Sequence, residues 1–253
     1  MTGRLYLVPN TLDLGTPPAE APPLTDVLPL GAIRVAAQLR CWVAENAKTT
    51  RALLKRVGEV VPLERPLQEI QIVELPRAPK GAKAPVAGID LEPLLAPAQQ
   101  GEAMGLVSEA GLPAVADPGA ALVQVAHRLG VHVIALAGPS SLLLALAASG
   151  LQGQSFAFVG YLPVDAHERA ARIRELEASS RRLGQTQICI ETPYRNEALL
   201  AALVAALAPS TRLSVSCGLT LAGEWTRSDT VANWKARPAA LPKDVPAVFS
   251  LLG

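Results

Sequence analysis

The sequence predicts an α/β protein of two domains, with a mostly parallel sheet in the first and a mixed sheet in the second. Two observations carry this. In the first 140 residues, short apolar runs are followed by Gly/Pro turns and then by segments of helical periodicity, as in βαβ units. After Ser155 the pattern changes to turn-separated strands with a different mix of apolar residues. Composition agrees. Half of the 253 residues are apolar and only 4% are aromatic. The excess lies in Ala, Leu and Val, as expected where helices cover both faces of a sheet.

Leu5 to Val8 reads as a buried first strand, ended by Pro9 and Asn10 and followed by a Pro-rich loop to Pro23. Arg40 to Glu45 is strand-like. In Thr49 to Val57, Leu53, Leu54 and Val57 form one apolar helix face. Residues 76 to 88 combine Pro, Gly, Lys and Ala in a surface loop with the character of a lid. Met104 to Ser108 predicts a strand, Ala120 to Leu129 a helix and Val131 to Ala137 the next strand. A small-residue helix runs to Ser149, and Ala166 to Leu183 predicts a charged one. Strands are expected at Thr211 to Ser216, Thr226 to Trp234 and Val245 to Leu252. The expected domains are residues 1–140 and 141–253.

The net charge of +1 gives no global attraction to nucleic acid, so any RNA contact has to be local. Cys41, Cys189 and Cys217 lie apart in apolar runs and read as buried free thiols. His127, His132 and His167 show no metal-ligand spacing, and no metal site is expected. The apolar run Leu142 to Ala148 is far short of the roughly 20 residues of a membrane span. With no signal-peptide core after Met1, the expected location is the cytoplasm.

Three loops fall at the carboxyl ends of predicted strands, where open α/β sheets bind ligands. They are Val8-Pro9-Asn10, the stretch Ser108 to Gly119, and Ala137-Gly138-Pro139-Ser140-Ser141. Glycine there permits close backbone approach, and a helix opening after the loop offers N–H donors to an anionic group. Taken singly, Asp117-Pro118-Gly119 and Gly138-Pro139-Ser140 read equally well as turn and helix-start chemistry.

Together with Leu5-Tyr6-Leu7-Val8-Pro9, the stretch Phe156 to Pro163 and Glu191-Thr192-Pro193-Tyr194-Arg195, these loops resemble the tetrapyrrole methylase superfamily. Within it the chain is most similar to the bacterial enzymes that 2'-O-methylate a cytidine of small-subunit ribosomal RNA. The resemblance implies a homodimer of two-domain subunits, with S-adenosyl-L-methionine held in a cleft between the domains and ribosomal RNA or the small ribosomal subunit as partner. The donor contacts it implies are Pro9, Ser108, Glu109, Ala110, Gly111, Asp117, Gly138 and Pro139 in the first domain, and Phe158, Val159, Gly160, Glu191, Thr192 and Pro193 in the second. Where the RNA enzymes carry Glu-Asp-Thr-Arg, this chain has Glu45-Asn46-Ala47-Lys48-Thr49-Thr50-Arg51. Cys217 to Leu221 lacks two basic residues of the usual charged segment.

Transfer of a methyl group from a sulfonium needs mainly alignment, which accounts for the lack of a triad or metal motif. Glu45, Glu109 and Glu191 are candidate bases for a ribose hydroxyl, each with a structural role as the alternative. Arg51 is a candidate for orienting a phosphate or carboxylate, or else a surface charge. Lys48, Arg51 and Lys55, with Arg56 adjacent, share a helix face suited to an RNA backbone or to solvent. Two other readings stay open: a small-molecule methyltransferase of tetrapyrrole type, and a non-catalytic relative that binds donor or RNA.

Overall fold

The computed structural model describes residues 3–13, 16, 20–76 and 89–253. Nearly all of the expected lid therefore lies outside the described residues. Two compact units divide the chain, one containing Glu20–Pro139 with the strand that precedes it, the other Ser140–Gly253.

The first unit runs β1 (Arg4–Leu7), α1 (Leu24–Val27), α2 (Leu30–Gln38), β2 (Cys41–Ala44), α3 (Ala47–Val60), β3 (Gln71–Glu74), α4 (Ala96–Gln99), β4 (Ala103–Val107), α5 (Ala120–Arg128) and β5 (His132–Ala135). Its five strands lie in the order β3-β2-β4-β1-β5, and every pair is parallel. Alternate residues face opposite layers, as the pleat requires. Tyr6, Val8, Trp42, Ala44 and Val107 pack with Leu24, Leu28, Ile33, Leu53 and Leu54 from α1 to α3. Leu5, Val43, Met104 and Leu106 pack with Leu95, Leu122 and Ala126 on the other side.

The chain leaves β1 toward β2 in one direction and β4 toward β5 in the other. Adjacent strands whose connections diverge in this way create a topological switch point at their carboxyl ends, which is where ligands bind in such sheets.

Helix α3 illustrates how sequence sets an element. Thr50, Leu53, Leu54 and Val57 are buried at helical spacing, and the Asn46 side chain caps the start by accepting from the Lys48 and Thr49 N–H groups at 2.9 and 3.3 Å. Not every element was legible, and three of them show why. Helices α1 and α2 follow Pro23 and Pro29 directly, and the proline-rich composition hid them. Strand β3 is a largely exposed edge strand, so it lacks the apolar alternation by which strands are recognised.

The second unit contains α6 (Ser141–Ser149), β6 (Phe156–Tyr161), α7 (Ala166–Leu183), β7 (Thr186–Glu191), α8 (Asn196–Ala206), β8 (Arg212–Cys217), β9 (Trp225–Thr230), α9 (Val231–Ala236) and β10 (Ala247–Leu252). Its strands are ordered β6-β7-β10-β8-β9; β6 and β7 are parallel and the other neighbours antiparallel. Ile173, Leu176, Leu199, Leu203 and Trp234 from α7, α8 and α9 cover one face over Leu213, Val215 and Phe249. Leu142, Ala145 and Leu146 of α6 meet Ile188 and Val248 on the other.

One expected strand is corrected. Thr226 to Trp234 is not continuous: β9 stops at Thr230, whose hydroxyl accepts the Asn233 N–H at 3.3 Å and starts α9. All three cysteines are buried and free. Among the described residues, no helix is long and apolar enough to cross a membrane.

Candidate functional site

Within the first unit the three loops predicted from sequence meet at the carboxyl ends of β1, β4 and β5. Pro9 is buried against Gly138: a Cβ placed on Gly138 would sit 2.2 Å from the Pro9 Cβ and 2.4 Å from its Cγ. Gly111 has φ +64° and faces Leu12 and the Pro139 carbonyl, so glycine there meets a conformational need as well as a spatial one. The Asn10 N–H donates to the Gly111 carbonyl at 2.8 Å, and the Gly111 N–H to Thr11 at 3.3 Å, an isolated antiparallel bridge between the first two loops.

Asn10 and its neighbours form a network that sequence reasoning missed as site residues. The buried Asn10 carboxamide donates to the carbonyls of Ser108 and Glu109, both at 3.0 Å, and its oxygen accepts the Thr11 N–H at 2.9 Å. Farther along, Thr11 donates its hydroxyl to Asp13. The Arg56 guanidinium reaches Asp13 at 2.9 Å and the Pro22 carbonyl at 2.8 Å. Arg56, which the sequence set beside the basic face of Lys48, Arg51 and Lys55, therefore anchors the loop after β1. No local signal pairs residues so far apart in the chain.

Glu45, at the end of β2, accepts the Glu109 N–H at 3.0 Å and so ties the loop after β4 to the neighbouring strand. Ser108 is buried, with its hydroxyl on the Ala110 carbonyl at 2.9 Å. Asp117 returns to this neighbourhood. Burial above all, then the charge of Glu45 and more weakly that of Glu109, push its carboxyl up to about 6. Arg51 is not brought to these carboxylates: it is exposed, and its guanidinium contacts the Ala47 carbonyl of its own helix at 3.4 Å. Between Gly111 and Gly119, Ala114 and Ala116 hold φ of 67° and 66°, a left-handed conformation that costs a non-glycine residue about 1 kcal/mol or more.

The Asp117 environment makes a prediction with a definite sign. Between the ordinary carboxylate value of 3.8 and about 6, the folded protein holds a proton that the unfolded chain has released, so this group lowers stability as pH rises through that window. Asp117→Asn should raise stability at pH 8 by on the order of 1–2 kcal/mol, allowing for partial screening, and by close to nothing at pH 4. Denaturant melts at the two pH values check this. An equal gain at both would remove the ionisation from the explanation.

In the second unit, Phe158, Val159 and Gly160 lie on edge strand β6, whose pairing with β7 shifts register between Phe158 and Tyr161; Gly160 has φ +73° at that irregularity. Glu191 is buried. Its carboxylate accepts the Thr192 N–H at 2.8 Å and pairs with Arg195 at 3.0 Å, holding the 3-10 turn Pro193–Arg195. A carboxylate engaged in this way shapes the Thr192-Pro193 corner.

A cavity of about 360 Å³ also opens at the opposite, amino end of the first sheet, between Cys41, Gln71, Gln100 and Glu102. It is remote from the loops and from the switch point.

No protein-family model matches the chain. Curated relatives do. Over 138 residues it is 38% identical to the ribosomal RNA small subunit methyltransferase I of Mesorhizobium japonicum, which covers 54% of this chain and 46% of that one. Over 183 residues it is 31% identical to the protein of that name from Escherichia coli O157:H7, covering 64% and 63%. The chain spans about half the length of the curated relatives it matches, from 46% to 63% for these two. Among solved structures, uroporphyrin-III-C-methyltransferase from Thermus thermophilus superposes with a TM-score of 0.53 at 20% identity, over all of this chain and 93% of that one. The chain has the tetrapyrrole methylase fold. Its curated homologues carry the name of the ribosomal RNA group, as the motifs predicted, and the parallel first sheet and mixed second sheet are those of the expected class.

Proposed function

We propose that this tetrapyrrole methylase homologue is an S-adenosyl-L-methionine-dependent methyltransferase that 2'-O-methylates a ribose of small-subunit ribosomal RNA in the cytoplasm, as a homodimer. The observation that carries the reading is the similarity to ribosomal RNA small subunit methyltransferases I. The loops after β1, β4 and β5, joined at the switch point, add to it. They fit the donor chemically, because the carboxylates of Glu45, Glu109 and Asp117 favour a cationic sulfonium by Coulomb attraction.

When bound, the donor supplies an already activated methyl group. The chain's own work is then to orient and to hold protons. Pro9, Gly111, Gly138 and Pro139 shape the pocket at the ends of β1, β4 and β5, and the Ser108-Glu109-Ala110 backbone lines it with the Ala110 N–H open. Glu45 is the positioning carboxylate of the Glu109 amide. Glu109 remains the candidate to accept the ribose proton, and Asp117, with its raised proton affinity, lies in the same carboxylate group.

Two experiments test this reading. Calorimetric titration with S-adenosylmethionine and with its demethylated product should give saturable binding of one per chain. Transfer of labelled methyl to small ribosomal subunits should then leave the label in a single alkali-resistant dinucleotide. Absence of donor binding would sink the reading, whereas binding with label only on a small tetrapyrrole would redirect the acceptor.

Lys48, Arg51 and Lys55 are exposed on one face of α3, and among the described residues none is in an ion pair. They are proposed as the RNA backbone contact, with Arg51 serving phosphate rather than the reacting group. Changing all three to Gln should weaken RNA binding and flatten its salt dependence by about two in the log–log slope, at roughly 0.7 for each phosphate interaction removed, while leaving donor affinity intact. An unchanged slope would place the RNA elsewhere.

A further inference from the structure

The carbonyls of Ser108 to Gly111, at the start of the loop that follows β4, are all occupied from within the first unit. Ser108 and Glu109 oxygens accept from the Asn10 carboxamide at 3.0 Å each, the Ala110 oxygen accepts from the Ser108 hydroxyl at 2.9 Å, and the Gly111 oxygen accepts from the Asn10 N–H at 2.8 Å. The amide groups are treated differently. The Glu109 N–H is taken by Glu45 and the Gly111 N–H by Thr11, and among the described residues the Ala110 N–H has no partner. Asn10 makes three of these bonds and is 5% exposed. A residue that buries its polar atoms against this loop has a fixed geometry, because each unmade bond would leave a buried polar group unsatisfied.

We propose that Asn10 is a positioning residue for the methyl donor: by holding the carbonyls of Ser108, Glu109 and Gly111 it presents the Ala110 N–H to an acceptor on the donor, a carboxylate or an adenine ring nitrogen. The inference rests on the methyltransferase reading and adds to it a residue of the first loop that is not among the expected donor contacts. Asn10 touches the loop, and acts on the donor only through it. The carboxamide is suited to the task because its NH2 group can donate to two carbonyls at once while its oxygen accepts from Thr11. A carboxylate of the same shape could do only the last.

The decisive variant is Asn10→Asp, which keeps the shape and sets a negative oxygen against two carbonyls. Titrated with S-adenosylmethionine below its melting temperature, the folded variant should bind at least about tenfold more weakly than wild type, as expected when a buried donor pair is replaced by a charge. In methyl transfer it should raise the donor KM with a smaller change in kcat, and it should bind RNA unchanged. Asn10→Ser, which retains one donor, should recover part of the affinity. Should both variants fail to fold, wild-type hydrogen exchange supplies the test. Protection of the Ala110 amide should rise on donor binding, and no change there overturns the proposal. Equal donor affinity for wild type and folded Asn10→Asp overturns it too, and leaves the methyltransferase reading standing. If wild type binds no S-adenosyl compound, both fall together.

Discussion

Gly138→Ala should cost about 3 kcal/mol of stability, at the upper end for overpacking, and lower the Tm by roughly 6–12 °C. The added Cβ would lie 2.2 Å from the Pro9 Cβ and 2.4 Å from its Cγ. Neither atom can retreat easily, since the ring is closed onto the backbone and Pro9 is buried. Pro9→Gly in the same chain should recover part of the loss by vacating the space, although the added backbone freedom keeps the recovery incomplete. Differential scanning calorimetry of the two single variants and the double one measures it. A Gly138→Ala protein that melts with wild type would mean that the first and third loops are not in contact. The same packing changes what a bulky residue at Gly138 reports: Gly138→Trp would remove donor binding by dismantling the loops as well as by filling a pocket. A side chain at Gly111 has more room, since a Cβ there would meet Leu12 Cδ2 at 3.4 Å, but the φ of +64° would strain any residue other than glycine.

A second large effect is expected inside the first sheet. Gly105, in the central strand β4, lies under the Trp42 indole, and a Cβ there would meet the ring at 2.6 and 2.7 Å. Trp42 is 1% exposed, and its Nε1–H donates to the Leu39 carbonyl at 3.2 Å, so the ring cannot tilt away without breaking a buried bond. Gly105→Ala should destabilise by about 2–3 kcal/mol. Trp42→Leu alone should also destabilise, through the cavity it leaves. The double variant should be destabilised by less than the sum of the two single costs, because the ring that the new methyl group would strike is gone. Strict additivity in urea melts would show that the two positions do not touch.

These cases mark where sequence stopped being sufficient. The parallel first sheet was legible because each strand-turn-helix unit leaves a local trace: an apolar run, a Gly/Pro turn, and then spacing such as that of Leu53, Leu54 and Val57. The loops of the site were legible for the same reason, since glycine and proline at strand ends are local conformational facts. Strand β3 left no such trace at the sheet edge, and α1 and α2 were hidden by the prolines at their starts. The turn from β9 into α9 was missed because Thr226 to Trp234 carries β-favouring residues through a boundary that the Thr230 cap decides.

Among the site residues the division is physical rather than a matter of degree. Residue order alone was enough to read the residue types at the ends of β1, β4 and β5, together with the family they resemble. Folding chose which of those residues hold one another. It assigned Glu45 to the Glu109 amide and Glu191 to Arg195, turned Arg56 inward to Asp13, left Arg51 on the surface and gave Asn10 its grip on Ser108, Glu109 and Gly111. Each of these is a contact between residues from separate elements or on either side of a turn. A hydrogen bond of this kind depends on distances of about 3 Å and on direction. Periodicity and composition record which face a residue belongs to, whereas partners across a fold are set by how the loops converge.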